Sequence, residues 1–238
     1  MLQALGARFL DAQGQALAPT PRALALLARA DLAGLDFRLH KVQIEAICDV
    51  ANPLLGPCGA AAVYGPQKGA NAAVVETLGA TGGRYADAVE IATGRRLRDE
   101  PGAGAAGGLG FALKALGAKL RPGSDIVCEI AHVPERLRGA ALAITGEGRL
   151  DAQSLQGKAP AGIARLARAA GVPCVAFCGS CRDRAALTPE PFAAIFEILP
   201  LAASLADAMA RGGELLAQAA GEAAPALARL ACEGYKGK

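Results

Sequence analysis

Short apolar runs alternate with helical segments through the second half of the chain, and this alternation constrains the fold more than any other feature. Four runs are predicted as strands, at residues 126–130, 140–144, 173–177 and 193–199. The helices are predicted at residues 134–138, 162–170, 205–219 and 225–232, with a capping box at Ser204 and Asp207. Strands that are apolar throughout are typical of a parallel sheet buried on both faces. We therefore expect an α/β fold with a mostly parallel sheet covered by helices.

The turn Arg121-Pro122-Gly123-Ser124 predicts a boundary between two α/β regions, residues 1–122 and 123–238. The second region resembles a Rossmann or flavodoxin arrangement. In the first region we expect a hairpin joining residues 8–10 to 15–17, helices at 23–30, 74–93 and 109–119, and a strand from residue 42 to 50. The glycines inside segment 74–93 predict a break near Gly82, because glycine is unfavourable in a helix interior.

The composition excludes several classes of function. There are 25 basic and 22 acidic side chains, a formal charge of +3, so charge gives no reason to expect a nucleic-acid or membrane-surface partner. No apolar run is long enough to span a membrane, and the N-terminus lacks a signal-peptide pattern, so we expect a cytoplasmic protein. The seven cysteines are an odd number at irregular spacing, which indicates reduced thiols.

The segment A-I-T-G-E-G-R-L-D-A-Q-S-L-Q-G-K, residues 143–158, concentrates polar chemistry after a predicted strand. We expect a turn after Ile144. Its glycines would let backbone N–H groups approach an anion, its cations would neutralise that anion, and its carboxylates would hold a divalent cation. These residues are Gly146 and Gly148, Arg149 and Lys158, and Glu147 and Asp151, respectively. The alternative is a solvated loop whose charges pair with one another.

A second polar segment follows the strand predicted in the first region. That strand brings Asp49 and Asn52 to its end, and a turn farther on presents Gln67 and Lys68 before Gly69. Two prolines and two glycines at residues 53–59 favour a rigid loop between these groups, which a binding site requires. Taken alone, this turn is an ordinary loop with an exposed lysine. Beside Asp49 and Asn52, an ordinary loop and a binding site are both open interpretations.

A glycine-rich segment, P-G-A-G-A-A-G-G-L-G at residues 101–110, contains G-x-G-x-x-G at Gly102, Gly104 and Gly107. That fingerprint marks a dinucleotide site only when it follows a strand, and here it follows Arg-Asp-Glu. We instead expect an anion site where the loop, including Gly108, enters a helix. The alternative is that these glycines allow close packing.

The cysteines at 174, 178 and 181 follow C-x3-C-x2-C spacing, but the first lies in an apolar run, so we interpret them as small buried residues rather than cluster ligands. His40 and His132 belong to no zinc spacing.

Carboxylates, cations and glycine loops without cysteine or histidine chemistry suit phosphoryl transfer, which depends on positioning and charge neutralisation. The chain has no Walker A sequence, because Gly157-Lys158 is followed by Ala159, and it lacks the protein-kinase catalytic sequence. The residues therefore indicate a nucleotide kinase of another type without naming the acceptor.

Four segments together resemble the bacterial class I glycerate kinases: residues 48–70, 101–110, 143–158 and 171–180. The resemblance implies transfer of the ATP γ-phosphoryl group to D-glycerate, giving 2-phosphoglycerate or 3-phosphoglycerate, with Mg²⁺. It also implies two α/β domains with the active site in the cleft between them. The family usually has an aspartate where this chain has Ala51, so any role of that carboxylate is missing here.

The resemblance assigns roles to the polar residues as hypotheses. Lys68 and Arg149 would contact phosphates or the glycerate carboxylate, Asp49 or Asp151 would be the base, and Glu147 with Asp151 would face the metal. The predicted substrate-binding and nucleotide-binding residues are Asn52, Gln67, Gly69, Gly104, Gly107, Gly108, Gly146, Gly148 and Lys158.

Family members resemble this chain only over their later part, and three interpretations follow. The first is a glycerate kinase, either whole in nature or completed by an N-terminal complementing chain; a homo-oligomer is the other assembly that we expect. The second is a non-catalytic remnant, from a fragment, a wrongly assigned start or a split protein. The third is a dinucleotide-dependent oxidoreductase that uses the Gly102 motif.

Overall fold

The structure is a computed structural model that describes residues 1–151, 159–188 and 190–233. The chain divides into two compact units, Met1–Arg121 and Pro122–Lys238, called unit 1 and unit 2 below. No helix among the described residues combines the length and hydropathy that a membrane-spanning segment needs.

Unit 1 is built from two pairs of short strands and four helices. In chain order these are β1 (Arg8–Leu10), α1 (Pro21–Leu24), β2 (Arg29–Asp31), β3 (Glu45–Ile47), α2 (Ala60–Tyr64), α3 (Ala72–Thr93), α4 (Leu109–Ala115) and β4 (Lys119–Arg121). Strands β1 and β2 pair antiparallel, and β3 and β4 pair parallel. The core of the unit centres on Phe9, Val89, Leu97 and Phe111.

The hairpin predicted at the start of the chain is present only in part. The Leu17 amide donates to the Phe9 carbonyl at 2.8 Å, and Gly14 takes a positive φ of 77° in the turn. The regular partner of β1 is however β2, so the helix predicted at residues 23–30 is wrong beyond Leu24. Leu27 and Ala30 are buried in the core, and pairing of Ala30 with Phe9 overrides the local helical preference of the segment that becomes β2.

Helix α3 is continuous, so the predicted break near Gly82 is wrong. A Cβ at Gly82 would lie 3.1 Å from Cδ2 of Leu55, which shows that the glycine gives Leu55 room to pack on the helix. The helix begins at Asn71, whose side chain accepts a hydrogen bond from the Val74 amide at 3.0 Å, and ends before Gly94 at φ 68°. Packing against Leu55 and the two caps stabilise the helix despite its glycines.

Unit 2 contains a three-stranded parallel sheet in the order β5-β6-β7. Its elements are α5 (Gly123–Ile130), α6 (Val133–Leu137), β5 (Ala143–Leu150), α7 (Ala159–Ala169), β6 (Cys174–Cys181), α8 (Arg184–Leu187), β7 (Ala194–Glu197), α9 (Leu205–Ala210) and α10 (Gly212–Glu233). Helix α7 packs on one face, where Ala164 and Ala176 share a core, and α10 packs on the other against Val175. The predicted α/β class with a helix-covered parallel sheet is confirmed.

The strand predicted at residues 126–130 is wrong, because this segment forms α5. Only Cys128 is buried, whereas Val127 and Ile130 remain exposed. One buried side is the pattern of a surface helix, and a sheet strand would have buried its apolar side chains more evenly.

The predicted N-cap of α9 at Ser204 is confirmed, whereas the Asp207 carboxylate reaches back to the Ala203 amide rather than to the Ser204 amide of a capping box. The Asp207 amide donates to Oγ of Ser204 at 3.1 Å, and the Ala203 amide donates to Oδ2 of Asp207 at 3.0 Å. The predicted division of the last helices before Pro225 is wrong: the break lies at Arg211, and α10 passes through Pro225. Ala219 and Ala223 are both buried against the sheet. This packing stabilises the part of α10 that precedes Pro225.

Candidate functional site

The T-G-E-G-R residues form the end of β5 rather than the predicted turn. Strand β5 continues to Leu150, which pairs with Cys181 of β6. A Cβ at Gly146 would collide with the Phe177 carbonyl, and one at Gly179 would collide with that of Gly148. The glycines therefore allow close approach of the paired strands. The carboxyl end of a parallel strand is where α/β sheets place ligands. The glycines and charged residues that we expected in a turn are therefore presented by the end of a strand.

Charged side chains gather at this end of the strand. Nε of Arg149 lies 3.6 Å from Oδ2 of Asp151, and the Arg149 side chain is half exposed. Asp151 is the last described residue before a gap, and Lys158 lies outside the described residues. The arrangement offers a cation and a carboxylate side by side, which is compatible with both a ligand site and a surface ion pair.

A cavity of about 820 Å³ in unit 2 borders the same strand. Gly146, Glu147 and Gly148 line it on the side of the sheet, and the opposite wall is apolar, with Met209 and Leu216 from the helices α9 and α10. Its volume falls in the range of small-molecule sites. Three predicted residues thus share one cavity.

The described residues contain no group of three or more histidine, cysteine, aspartate or glutamate side chains that could hold a metal ion. Glu147 lies within β5 and Asp151 directly follows that strand. Four residues of extended chain separate their Cα atoms by about 13 Å, so one metal ion would contact one of these carboxylates rather than both. Mg²⁺ is commonly bound through one or two carboxylates together with substrate phosphates, and the chemistry of either carboxylate fits such an ion.

Two of the three cysteines of β6, Cys174 and Cys178, are buried thiols in an apolar sheet, whereas Cys181 at the end of the strand is partly exposed. Burial raises the pKa of Cys174 to about 12 and, with nearby negative charge as a smaller cause, that of Cys178 to about 12. Thiols of this kind behave as small apolar side chains.

In unit 1, Asp49 lies on an exposed loop. Lys68 is also exposed and is the last residue of the 3-10 helix Pro66–Lys68, and Gly69 follows it directly at φ 90°. Gln67 belongs to the same short helix. Asn52 differs, because its amide is engaged within the protein by Tyr64 and by the Cys58 carbonyl.

The glycine-rich segment contacts the Asn52 loop. The Gly104 amide donates to the Asn52 carbonyl at 2.9 Å, and a Cβ at Gly104 would collide with the Pro53 carbonyl. Gly107 and Gly108 adopt φ of 69° and 102°, and a Cβ at Gly107 would meet nothing within 4 Å. Gly104 therefore serves packing, whereas Gly107 faces open space. In the described residues no strand directly precedes the segment, so the context of a dinucleotide fingerprint is absent there.

A cavity of about 660 Å³ in unit 1 brings predicted residues together. Lys68, Gly107 and Gly108 line it with side chains that sequence reasoning did not select, among them Tyr64 and Thr81. Tyr64 lies inside the segment 48–70, so an aromatic side chain among its polar residues could have marked it as a cavity residue. Nothing in the sequence distinguishes Thr81 from any other threonine inside a long helix.

Glu90 and Arg98 form a partly buried clasp just before the glycine-rich segment. The Glu90 carboxylate accepts hydrogen bonds from the Leu97 and Arg98 amides at 2.7 and 2.8 Å and from Nε of Arg98 at 2.9 Å. Burial by itself raises the pKa of Glu90, but the hydrogen bonds and the Arg98 charge outweigh it and lower that pKa. The Arg98 carbonyl accepts from the Leu54 amide at 2.8 Å. The clasp is therefore connected to the loop that contains Asn52 and Leu54.

Comparison with known proteins identifies sequence relatives that are named as glycerate kinases. The profile of the glycerate kinase family matches residues 1–228. A Bacillus subtilis (strain 168) protein named glycerate kinase is 44% identical over 229 residues, which are 95% of this chain and 60% of that protein. An Escherichia coli (strain K12) protein named glycerate 2-kinase is 40% identical over 210 residues, which are 87% of this chain and 55% of that protein.

A solved structure agrees with these relatives. The crystal structure of a protein from Salmonella typhimurium LT2, assigned as glycerate kinase 2, superposes with a TM-score of 0.65 at 43% sequence identity, covering 83% of this chain and 51% of that chain. The chain thus spans roughly half to three fifths of the length of these relatives.

Proposed function

Because this chain belongs to the glycerate kinase family, we propose that it transfers the γ-phosphoryl group of ATP to D-glycerate. The observation that carries the proposal is the family match over residues 1–228, together with identities of 40 to 44% to proteins named glycerate kinase or glycerate 2-kinase. The name of the E. coli relative favours the hydroxyl at carbon 2 as the acceptor, with 2-phosphoglycerate as the product. The alternative product is 3-phosphoglycerate.

The reaction requires little covalent chemistry from the protein. The acceptor hydroxyl oxygen forms a bond to the γ-phosphorus, the bond from that phosphorus to the bridging oxygen breaks, and ADP leaves. The hydroxyl proton passes to a carboxylate. Asp151 or Asp49 supplies that base in this proposal, and a positioned base contributes typically about 10² to 10⁴ in rate.

Cations position and neutralise the phosphates. Lys68 is exposed beside the unit 1 cavity and Arg149 is exposed at the end of β5, so each ammonium or guanidinium is accessible to an anion. Arg149 can bind a carboxylate or a phosphate through two parallel hydrogen bonds, and Lys68 acts as a point charge. A bound Mg²⁺ would neutralise charge on the β- and γ-phosphates, with Glu147 or Asp151 as the residue to hold it.

Backbone amides are the second means of binding phosphate. Gly148 lines the unit 2 cavity, and a Cβ there would meet nothing within 4 Å, so an anion can approach the main chain at this point. Gly107 offers the same access in unit 1. Gly107 and Gly148 are therefore the glycines that we propose for phosphate contacts.

An assay of ADP release tests the proposal directly. The purified 238-residue chain is incubated with Mg-ATP and D-glycerate, and a reaction without glycerate serves as control. We expect ADP release that depends on glycerate, and phosphorus NMR of the product identifies the hydroxyl that was phosphorylated. Absence of glycerate-dependent release from folded protein would reject kinase activity for this chain and favour a ligand-binding or complemented protein.

A further inference from the structure

The cavity of unit 1 is too large and too apolar for glycerate. Its walls include Leu24, Leu55 and Leu78, and its volume is about 660 Å³. Glycerate carries a carboxylate and two hydroxyl groups on three carbons, so it would fill only a small part of such a cavity and would leave most of the apolar wall uncovered. Apolar walls with few polar groups instead suit a flat heterocycle.

We propose that this cavity binds the purine base and ribose of the nucleotide, with Lys68 on its phosphates. The inference rests on the proposed function and identifies which part of the ATP substrate unit 1 takes. Lys68 and Gly107 both line the cavity, and no carboxylate among the described residues forms an ion pair with Lys68, so its ammonium is available to the phosphate chain.

A threonine hydroxyl supports this assignment. Thr81 lines the cavity and is only 8% exposed, yet no hydrogen bond within the described part of the chain engages its side chain. The described residues contain no fully buried side-chain polar atom that lacks a partner, so this hydroxyl keeps access to the cavity. A hydroxyl can both donate and accept, which allows it to pair with a ring nitrogen or an exocyclic amino group of a purine.

An aromatic residue in the cavity wall favours a flat purine base over a flexible, linear ligand. Tyr85 lines the cavity and is fixed edge-on between Phe9 and Phe111, with ring centroids 5.6 and 5.3 Å apart. Burial raises the pKa of the Tyr85 hydroxyl to about 12, so the residue stays neutral. A rigid neutral ring is a suitable contact for a purine.

Helix α3 provides a position from which to fill the cavity. Gly79 lines it, and a Cβ there would meet nothing within 4 Å. Gly79→Leu places a side chain in the open space without a backbone change, since the residue is helical. Gly221→Leu is the matched control, because Gly221 is an exposed helical glycine of α10 whose Cβ also meets nothing within 4 Å.

Calorimetric titration of ADP into the full chain tests the assignment. We expect the unmodified chain and Gly221→Leu to bind ADP equally, and Gly79→Leu to weaken binding by about tenfold or more, a loss of at least about 1.4 kcal/mol. Thr81→Val, which keeps the shape and removes the hydroxyl, should weaken ADP binding by about fivefold. Equal affinity of Gly79→Leu and the control, or no ADP binding by folded chain, would overturn the proposal.

Two fragments of the nucleotide separate base from phosphate. Adenosine binding should be lost in Gly79→Leu and unchanged in Lys68→Ala, whereas inorganic triphosphate binding should weaken in Lys68→Ala and stay unchanged in Gly79→Leu. The reverse pattern, or adenosine binding that Gly79→Leu leaves unchanged, contradicts a base site.

The ADP-release assay keeps the two proposals apart. A chain that binds ADP with the expected loss in Gly79→Leu, but releases no ADP with glycerate, retains this inference and rejects the kinase activity. Glycerate-dependent release in which Gly79→Leu leaves the KM for ATP unchanged supports the activity and rejects the base site.

Discussion

The Tyr64 hydroxyl donates a 2.6 Å hydrogen bond to Oδ1 of Asn52. Nδ2 of the same amide donates to the Cys58 carbonyl at 2.9 Å, and the Asn52 carbonyl accepts from the Gly104 amide. One residue thus connects helix α2, the loop after β3 and the glycine-rich segment. We expect Asn52 to affect ligand binding through the position of these loops.

Tyr64→Phe removes the donor to Asn52 and should lower the free energy of unfolding by about 1 kcal/mol, the usual net value of such a hydrogen bond. Urea unfolding measures it. Tyr85→Phe is the control: no described residue hydrogen-bonds the Tyr85 hydroxyl, so its stability should change little. Equal losses in both variants would show that the Tyr64 hydrogen bond adds nothing.

Glu90→Gln should lower stability at pH 7 by about 1 to 3 kcal/mol, because the side chain loses a charge that accepts several hydrogen bonds. The side chain is only 12% exposed, so solvent screening is small. Unfolding at pH 7 measured with urea, beside the unmodified chain, gives the value.

The difference between these two proteins should depend on pH. The folded-state pKa of Glu90 lies below its ordinary value of 4.5, so its charge stabilises the fold above pH 4.5, and this contribution is lost as pH falls through the folded-state pKa. The gap between Glu90→Gln and the unmodified chain should therefore narrow below pH 4.5. A constant gap down to the acid limit of folding would mean that the carboxylate charge is not what stabilises the clasp.

Gly110→Ala should destabilise the protein by about 2 kcal/mol or more, as overpacking does. Its Cβ would collide with the Gly102 carbonyl inside a packed turn. Gly79→Ala, also in a helix, has open space and should stabilise by up to about 1 kcal/mol. Thermal unfolding of both variants checks the sign: two stabilised proteins would refute the close approach of Gly102 to α4.

Asp151→Asn should reduce glycerate-dependent ADP release by about 10² or more if Asp151 is the base, while the circular dichroism spectrum and unfolding midpoint stay close to those of the unmodified chain. Asp99→Asn alters an exposed aspartate and should leave the rate unchanged. An unaltered rate in Asp151→Asn would remove this residue from the reaction and leave Asp49 as the candidate base.

The thiols should divide into two reactivity groups. Cys58 and Cys232 are exposed, whereas Cys174 and Cys178 are buried with pKa values raised to about 12. Alkylation at about pH 8 requires the thiolate, so mass spectrometry should find the exposed pair modified within minutes and the buried pair only after unfolding. Early modification of Cys178 would show that β6 is more open than its packing indicates.

Local sequence signals determined the parts of this fold that depend on neighbours along the chain. Apolar runs predicted β6 and β7 and the first two residues of β5, and Ser204 predicted the start of α9, because a buried strand and a helix cap are each encoded within a few residues. The glycine and charge pattern at residues 143–158 likewise pointed to the end of a strand as a place for chemistry.

Tertiary contacts decided what no local pattern contains. Val127 and Ile130 are strand-forming residues, yet they lie exposed on α5, whose buried residue is Cys128. The T-G-E-G-R residues look like a turn and remain a strand because Gly179 of β6 permits close pairing. Which side chains share the cavity with Lys68, including Thr81 from the middle of α3, follows from packing between distant segments, and that packing free energy is set by the partner surface rather than by the segment itself.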